Sequence, residues 1–274
     1  PAVAATYHVG KAGCDGSGPG SAATPLCTIN QGIQRLAPGD TLLVRPGTYP
    51  EQVRVTRSGS AGKPITIKAA SSTRPVIDGS SLDFHEEGLI NVDSRQHVTI
   101  SGLTVRNSPY YGIAVTSSHH VVVERTLVDR CEHGGIVFDN GCSQVKALYN
   151  EVKGTDQCGE DCGTHEAITL SDVEKFEVAH NHVHHGVKEG IDAKDGASQG
   201  TIHHNHVASM GQVGIYLNHA THVDVYRNRV HGGGSFGPVE RVHAPVLPRL
   251  QAGSRARGGG RRAQGQRRAK CNQA

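Results

Sequence analysis

The segment EGIDAKDGASQG brings Glu189, Asp192, Lys194 and Asp195 close together on what the repeat predicts is a rigid surface. A lysine can act as a general base where its surroundings favour the neutral amine, and carboxylates beside it can hold a hard cation. Together they suit removal of a proton α to a carboxylate, which needs a base of moderate strength and a positive charge to neutralise the carboxylate as charge develops. Several acids around one lysine favour its ammonium form instead, unless a metal offsets their charge. The plainer reading of Lys194 is a surface lysine paired with Asp192 or Asp195.

A repeat places this segment. Ile90, Ile113, Ile136, Ile168, Ile191 and Ile215 each open a short apolar run, and most follow a glycine (Gly112, Gly135, Gly190, Gly214). A recurring period of about this size marks a solenoid. Each unit has three short alternating runs: one at the isoleucine, one near Val98, Val121, Phe176, Ile202 and Val223, and one ending at Val105, Val128, Val152, Val183, Val207 and Val230. Such runs are too short and too β-branched for helices. Three strands per turn predict one coil of a parallel β-helix, with coils stacked about 4.8 Å apart so that equivalent side chains form ladders. Asn150, Asn181, Asn205 and Asn228 make one such ladder, a structural one that pairs amides along the stack.

The same register gives two outward columns on the first strand. One is Asp93, Thr116, Asp139, Ser171, Lys194 and Asn218, and the other is Asn91, Ala114, Val137, Thr169, Asp192 and Tyr216. Lys194 is the only base in them, with Glu166 and Ser171 one coil below. Asp139, Ser171, Asn218 and His219 share the face as candidate substrate contacts. Tyr216 and His219, one coil above Lys194, could protonate a leaving oxygen. His165 and Glu166 adjoin the face beside an insertion between Ile136 and Ile168, and insertions in solenoids often border the binding face. Hydrolysis would need two carboxylates facing each other across the bond, for which Asp139 with Asp192 or Glu166 are the available pairs. Epimerisation would need a second proton donor, for which His165 and Tyr216 are the candidates. A non-catalytic binding or surface-structural solenoid, its polar columns serving only solvation, is the alternative from outside enzymology.

The 18 histidines include HNHVHH (His180, His182, His184, His185) and HHNH (His203, His204, His206), which stack with Arg227 and Arg229 above. They could hold zinc or copper, or simply occupy solvated strands. Cys158, Cys162 and His165 have the spacing of a zinc half-site. The alternative is an even set of six body cysteines in disulfides, with Cys14–Cys27 closing a local loop and Cys158–Cys162 stapling the insertion.

Three stretches organise the chain: an N-terminal segment 1–27, a β-helix domain 28–237 and a tail 238–274. TINQGIQRL puts Ile29, Ile33 and Leu36 on one helical face, a short cap over the open end of the stack. Ala2, Val3 and Ala4 look like the end of a secretory signal, and a bland linker gives the same letters; export is the favoured expectation. No apolar stretch reaches the length of a membrane span. Pro238 falls where a seventh isoleucine is due, and the Arg- and Gly-rich letters after it read as a disordered basic tail or as an out-of-frame translation of GC-rich DNA. Residues 238–274 hold nine Lys or Arg and one acid, which leaves 19 bases against 24 acids in residues 1–237, a net of −5.

PGDTLLVRPGTYPEQVRV, GSAGKPITIKA and PVIDGSS, read as first coils, resemble the opening of extracellular right-handed parallel β-helix proteins, especially the pectate-lyase and the alginate- or chondroitin-lyase types. The resemblance covers residues 7–237. It implies an all-β, right-handed, single-stranded parallel β-helix, exported and monomeric, acting on an acidic polysaccharide by β-elimination, with no membrane or nucleic-acid partner. It also implies Lys194 as the base, with Asp192, Asp195, Glu166 and Glu189 holding calcium or orienting substrate. The closely spaced aspartates of the pectate-lyase relatives and the arginine of the alginate and chondroitin relatives have no clear match here.

Overall fold

A computed structural model of the chain describes residues 3–158 and 166–232, together with the backbone of 241–243. It is a right-handed parallel β-helix of about eight turns. The described strands form three sheets, and the chain visits them in turn, so each coil adds one strand to every sheet.

The first sheet carries Val53–Arg54, Gly88–Asp93, Tyr111–Thr116, Ile136–Asp139, Ile168–Ser171, Ile191–Lys194 and Ile215–Asn218. The predicted isoleucine column is a true register: Ile90 pairs with Ile113, Ile113 with Ile136, then Ile168, Ile191 and Ile215, and Val53 extends it downward. Val105, Val128, Val152, Val183, Val207 and Val230 form the matching column of the third sheet. These side chains are almost wholly withdrawn from water. Burial of a Val or Ile side chain contributes roughly 1.5–3 kcal/mol, so the stacked columns are the main source of stability.

The second sheet departs once from the expected column. Phe176 pairs with Val145 on one side, but the next coil shifts the apolar residue along, so that Val178 pairs with Ile202 and the position beside Phe176 falls to Gly200. A Cβ on Gly200 would lie 2.2 Å from the Phe176 ring, so the glycine makes room for the one aromatic side chain in that column.

The asparagine ladder forms as expected. Each of Asn181, Asn205 and Asn228 accepts from the backbone N–H and the side-chain amide of the asparagine one coil earlier, at 2.9–3.0 Å. Its left-handed backbone belongs to the residues just before the asparagines, Tyr149, His180, His204 and Arg227, with φ of 53–58°. That corner turns each asparagine inward and its two neighbours outward.

The helix Ile29–Arg35 caps the stack, with Ile29, Ile33 and Leu36 buried. Thr28 and Gln31 form a capping box, and Glu51 from the first coil accepts from the N–H groups of Ile29 and Asn30. Residues 1–27 are less separate than expected: Thr6–Val9 joins the second sheet beside Thr41–Val44, and the expected Cys14–Cys27 disulfide is present. Two of the six body cysteines, Cys131 and Cys142, are instead free and buried, their thiols pushed up to about 12 and about 11 by burial. Cys158 is disulfide-bonded and so unavailable as a zinc thiolate; Cys162 lies outside the described residues. In the stretch expected to be a tail, Arg241–His243 forms a strand antiparallel to Thr221–Tyr226. Among the described residues no helix is long and apolar enough to cross a membrane.

Candidate functional site

The outward columns of the first sheet are in register as read, with Thr169, Asp192 and Tyr216 in successive coils and Ser171, Lys194 and Asn218 beside them. They face away from the core, yet Glu166, Asp192 and Lys194 are only 5, 3 and 6 % exposed. Lys194 is therefore not a surface lysine, although the expected pairing with Asp192 is present.

Lys194 Nζ donates to both carboxylate oxygens of Glu166 at 2.9 Å and lies 3.8 Å from Asp192 Oδ2. Thr169 fixes Glu166: its hydroxyl donates to Oε2 at 3.1 Å and accepts from the Glu166 N–H at 2.8 Å. Thr169 is a positioning residue that the sequence placed in the right column without marking it for chemistry. Burial, reinforced by the Glu166 charge, pushes the Asp192 carboxyl up to about 8, and its Oδ1 has no hydrogen-bond partner. Burial likewise raises Glu189, again with Glu166 adding to the shift. Ser171 Oγ approaches Asp195 Oδ2 at 3.5 Å.

A second buried acid was not anticipated. Asp156, at the start of the insertion, is pushed up to about 7 by burial, with Glu166 and Glu189 adding to the shift and Lys188 opposing it. Neither of its oxygens has a hydrogen-bond partner. Its only sequence signal was its place directly after a third-sheet strand, which is too common to single it out.

Glu166, Glu189, Asp192 and Asp195 offer only carboxylate oxygen, the donor type that a hard dication such as calcium takes, with Asp192 Oδ1 orphaned and both Glu166 oxygens engaged by Lys194. Tyr216, 41 % exposed, and Asn218 lie one coil above. Below, the same face opens into a concavity of about 650 Å³ lined by Arg54, Glu87, Asp93, Tyr110, Tyr111 and Asp139. Ala114 and Val137 also line it, and the Tyr110 ring lies tilted against His133 at 4.0 Å between ring centroids. The sequence reading does not contain the aromatic wall, because Tyr110 sits in a connection and Tyr111 opens its strand two residues before the isoleucine column. Asp139 lies at that lower end, two coils from Lys194. His165 lies outside the described residues, and His219 occupies the left-handed corner one coil above Asp195.

Residues 7–162 match the family described as Pel9A-like, right handed beta helix region. Among curated proteins, the chain is 28 % identical over 148 residues to the uncharacterized protein YwoF of Bacillus subtilis, covering 53 % of this chain and 28 % of that protein. It is 27 % identical over 170 residues to pectate lyase PEL9 of Emericella nidulans, covering 56 % and 40 %. The chain thus spans less than half the length of these two relatives. The crystal structure of pectate lyase Pel9A superposes with a TM-score of 0.67 at 18 % identity, over 86 % of this chain and 64 % of that one.

Proposed function

This chain belongs to the Pel9A-like right-handed β-helix family, and from that premise we propose that it is an extracellular lyase that cleaves an acidic, uronate-containing polysaccharide by β-elimination. The observation that carries the proposal is the buried Lys194–Glu166–Asp192 cluster on the outer face of the first sheet, on the same face as the concavity that lies coils below. The related pectate lyases support the choice of an acidic polymer.

In the reaction the amine of Lys194, formed when its ammonium gives up a proton, takes the proton α to the uronate carboxylate. The electron pair forms the new carbon–carbon double bond and expels the glycosidic oxygen, which takes a proton from Tyr216 or His219 one coil above. Asp192, once ionised, accepts a proton from the Lys194 ammonium 3.8 Å away and so regenerates the amine. Thr169 keeps Glu166 aimed at Lys194. Glu166, Glu189 and Asp195 would hold calcium, which supplies positive charge to the substrate carboxylate. Asp139, Ser171, Asn218 and His219 would contact neighbouring sugars along the sheet.

One observation favours a second reading, a polysaccharide-binding module: both Glu166 oxygens engage Lys194, as in a structural ion pair. The deciding test incubates the protein with pectate, alginate, chondroitin and hyaluronan, with calcium and with chelator, and follows ultraviolet absorbance of unsaturated uronate. A lyase gives product from one polymer, and Lys194→Arg abolishes it, because arginine holds Glu166 yet cannot act as a base. Product formation that survives Lys194→Arg would rule out Lys194 as the base. Binding to a polymer with no product would establish the module.

A further inference from the structure

We propose that Glu151, His182 and His184, on the outer face of the third sheet, form a binding site for a borderline transition-metal dication, zinc being the leading candidate.

The asparagine ladder builds the site. Because Asn150 and Asn181 turn inward, Glu151 and His182 project outward from successive coils, in direct register across the sheet. His184 lies two residues farther along the strand His182–His184 and therefore on the same side as His182. One donor atom from each of Glu151, His182 and His184 lies within 4.8 Å of the others. His184 Nε2 is 3.5 Å from Glu151 Oε1, is buried, and makes no hydrogen bond. The other ring nitrogen of His184 contacts His185 Nδ1 at 2.6 Å. When His184 Nδ1 carries the proton of that contact, Nε2 presents a bare lone pair to a carboxylate, and two acceptors then face each other with nothing positive between them. A dication resolves that arrangement. A contact of this kind on the second ring nitrogen is also what orients metal-bound histidines.

Two imidazoles and one carboxylate are a zinc, copper or nickel set, unlike the all-carboxylate group around Lys194. Tetrahedral coordination with bonds of about 2.0–2.2 Å needs donor atoms roughly 3.4 Å apart, so small side-chain rotations suffice and water completes the sphere. The groups around the site are compatible. Lys153 Nζ is 3.7 Å from Glu151 Oε1 and can swing into solvent, while His206 Nε2 and His231 Nε2 engage each other at 2.7 Å. Arg229 stands in the same column beyond His182 and His206.

A second histidine group, His180, His203 and His204, serves as an internal control. There His203 Nε2 faces Glu177 at 3.3 Å, but Glu177 is already held by Lys146 at 2.8 Å.

The test is titration of the chelator-treated full chain with Zn²⁺ by calorimetry, and with Co²⁺ by visible absorption, alongside circular dichroism of each variant. One equivalent should bind with a tetrahedral Co²⁺ spectrum and raise Tm by mass action. His184→Ala, His182→Gln and Glu151→Gln should each weaken binding at least tenfold, whereas His203→Ala should leave it within twofold. Absence of stoichiometric binding, binding that survives both histidine variants, or loss only in His203→Ala would overturn the assignment. If His184→Ala unfolds, His182→Gln, at an exposed position, decides alone.

Discussion

Lys194 shows why a single residue needed the structure before its chemistry could be judged. Its column and its acidic neighbours were readable from spacing, but its burial was not, because an outward position on a solenoid is normally wet. The structure makes it half of a dry ion pair with Glu166. Removing one partner of such a pair leaves the other charge uncompensated, whereas replacing both is nearly neutral. Lys194→Ala should therefore cost roughly 3–5 kcal/mol in urea unfolding, and Lys194→Met with Glu166→Gln should recover most of it. A cost below about 1 kcal/mol for Lys194→Ala would mean that water reaches the pair. The consequence for activity is practical: loss of turnover in Lys194→Ala could reflect unfolding alone, which is why the charge-conserving Lys194→Arg separates the lyase from the binding module. Thr169 and Asp156 were missed for the same reason as the burial of Lys194. A threonine in an outward column and an aspartate after a strand are ordinary in sequence, and only their withdrawal from water gives them weight.

At the level of strands and corners, the repeat was legible almost to the residue, because a parallel stack forces equivalent side chains into register and so writes its period into the chain. What the period could not carry was local compensation, such as Gly200 yielding to Phe176, or the left-handed corner falling one residue before each asparagine. That corner makes the ladder a load shared between coils. Asn181 accepts two hydrogen bonds from Asn150 and donates to Ala147 O and Asn205 Oδ1, each at 2.9–3.0 Å. Asn181→Ala strands the buried N–H and amide of Asn150 together with a carbonyl. With each buried unsatisfied group costing about 1–3 kcal/mol, the variant should lose about 2–4 kcal/mol by thermal or urea unfolding. Asn228, at the more exposed end of the ladder, should cost less on the same change, since water can replace its bonds. The reverse order would show that the ladder does not bear on stability coil by coil.

Across the whole molecule, charge decides how a polyanion would approach. Residues 1–237 carry a net of −5, and the proposed groove gathers Glu87, Asp93, Asp139, Glu166, Glu189, Asp192 and Asp195 against Arg54 and Lys194. Residues 238–274 carry nine bases and one acid, a net of +8. These two sets of charges predict opposite responses to salt. Attraction between a polyuronate and basic residues is screened by added ions, so affinity falls as sodium chloride rises. Repulsion between a polyuronate and an acidic groove is screened in the same way, so affinity rises. With chelator present, binding to polygalacturonate should therefore be weak at low salt and strengthen as sodium chloride is raised through roughly the range where the screening length falls from 30 to 10 Å. Millimolar calcium should then increase affinity at least tenfold by bridging carboxylates of groove and polymer. Equilibrium binding measured by co-sedimentation across a salt series reads the sign directly. Affinity that falls steadily with sodium chloride in chelator would place the polymer on the basic residues instead, and the groove along the first sheet would lose its claim to the substrate.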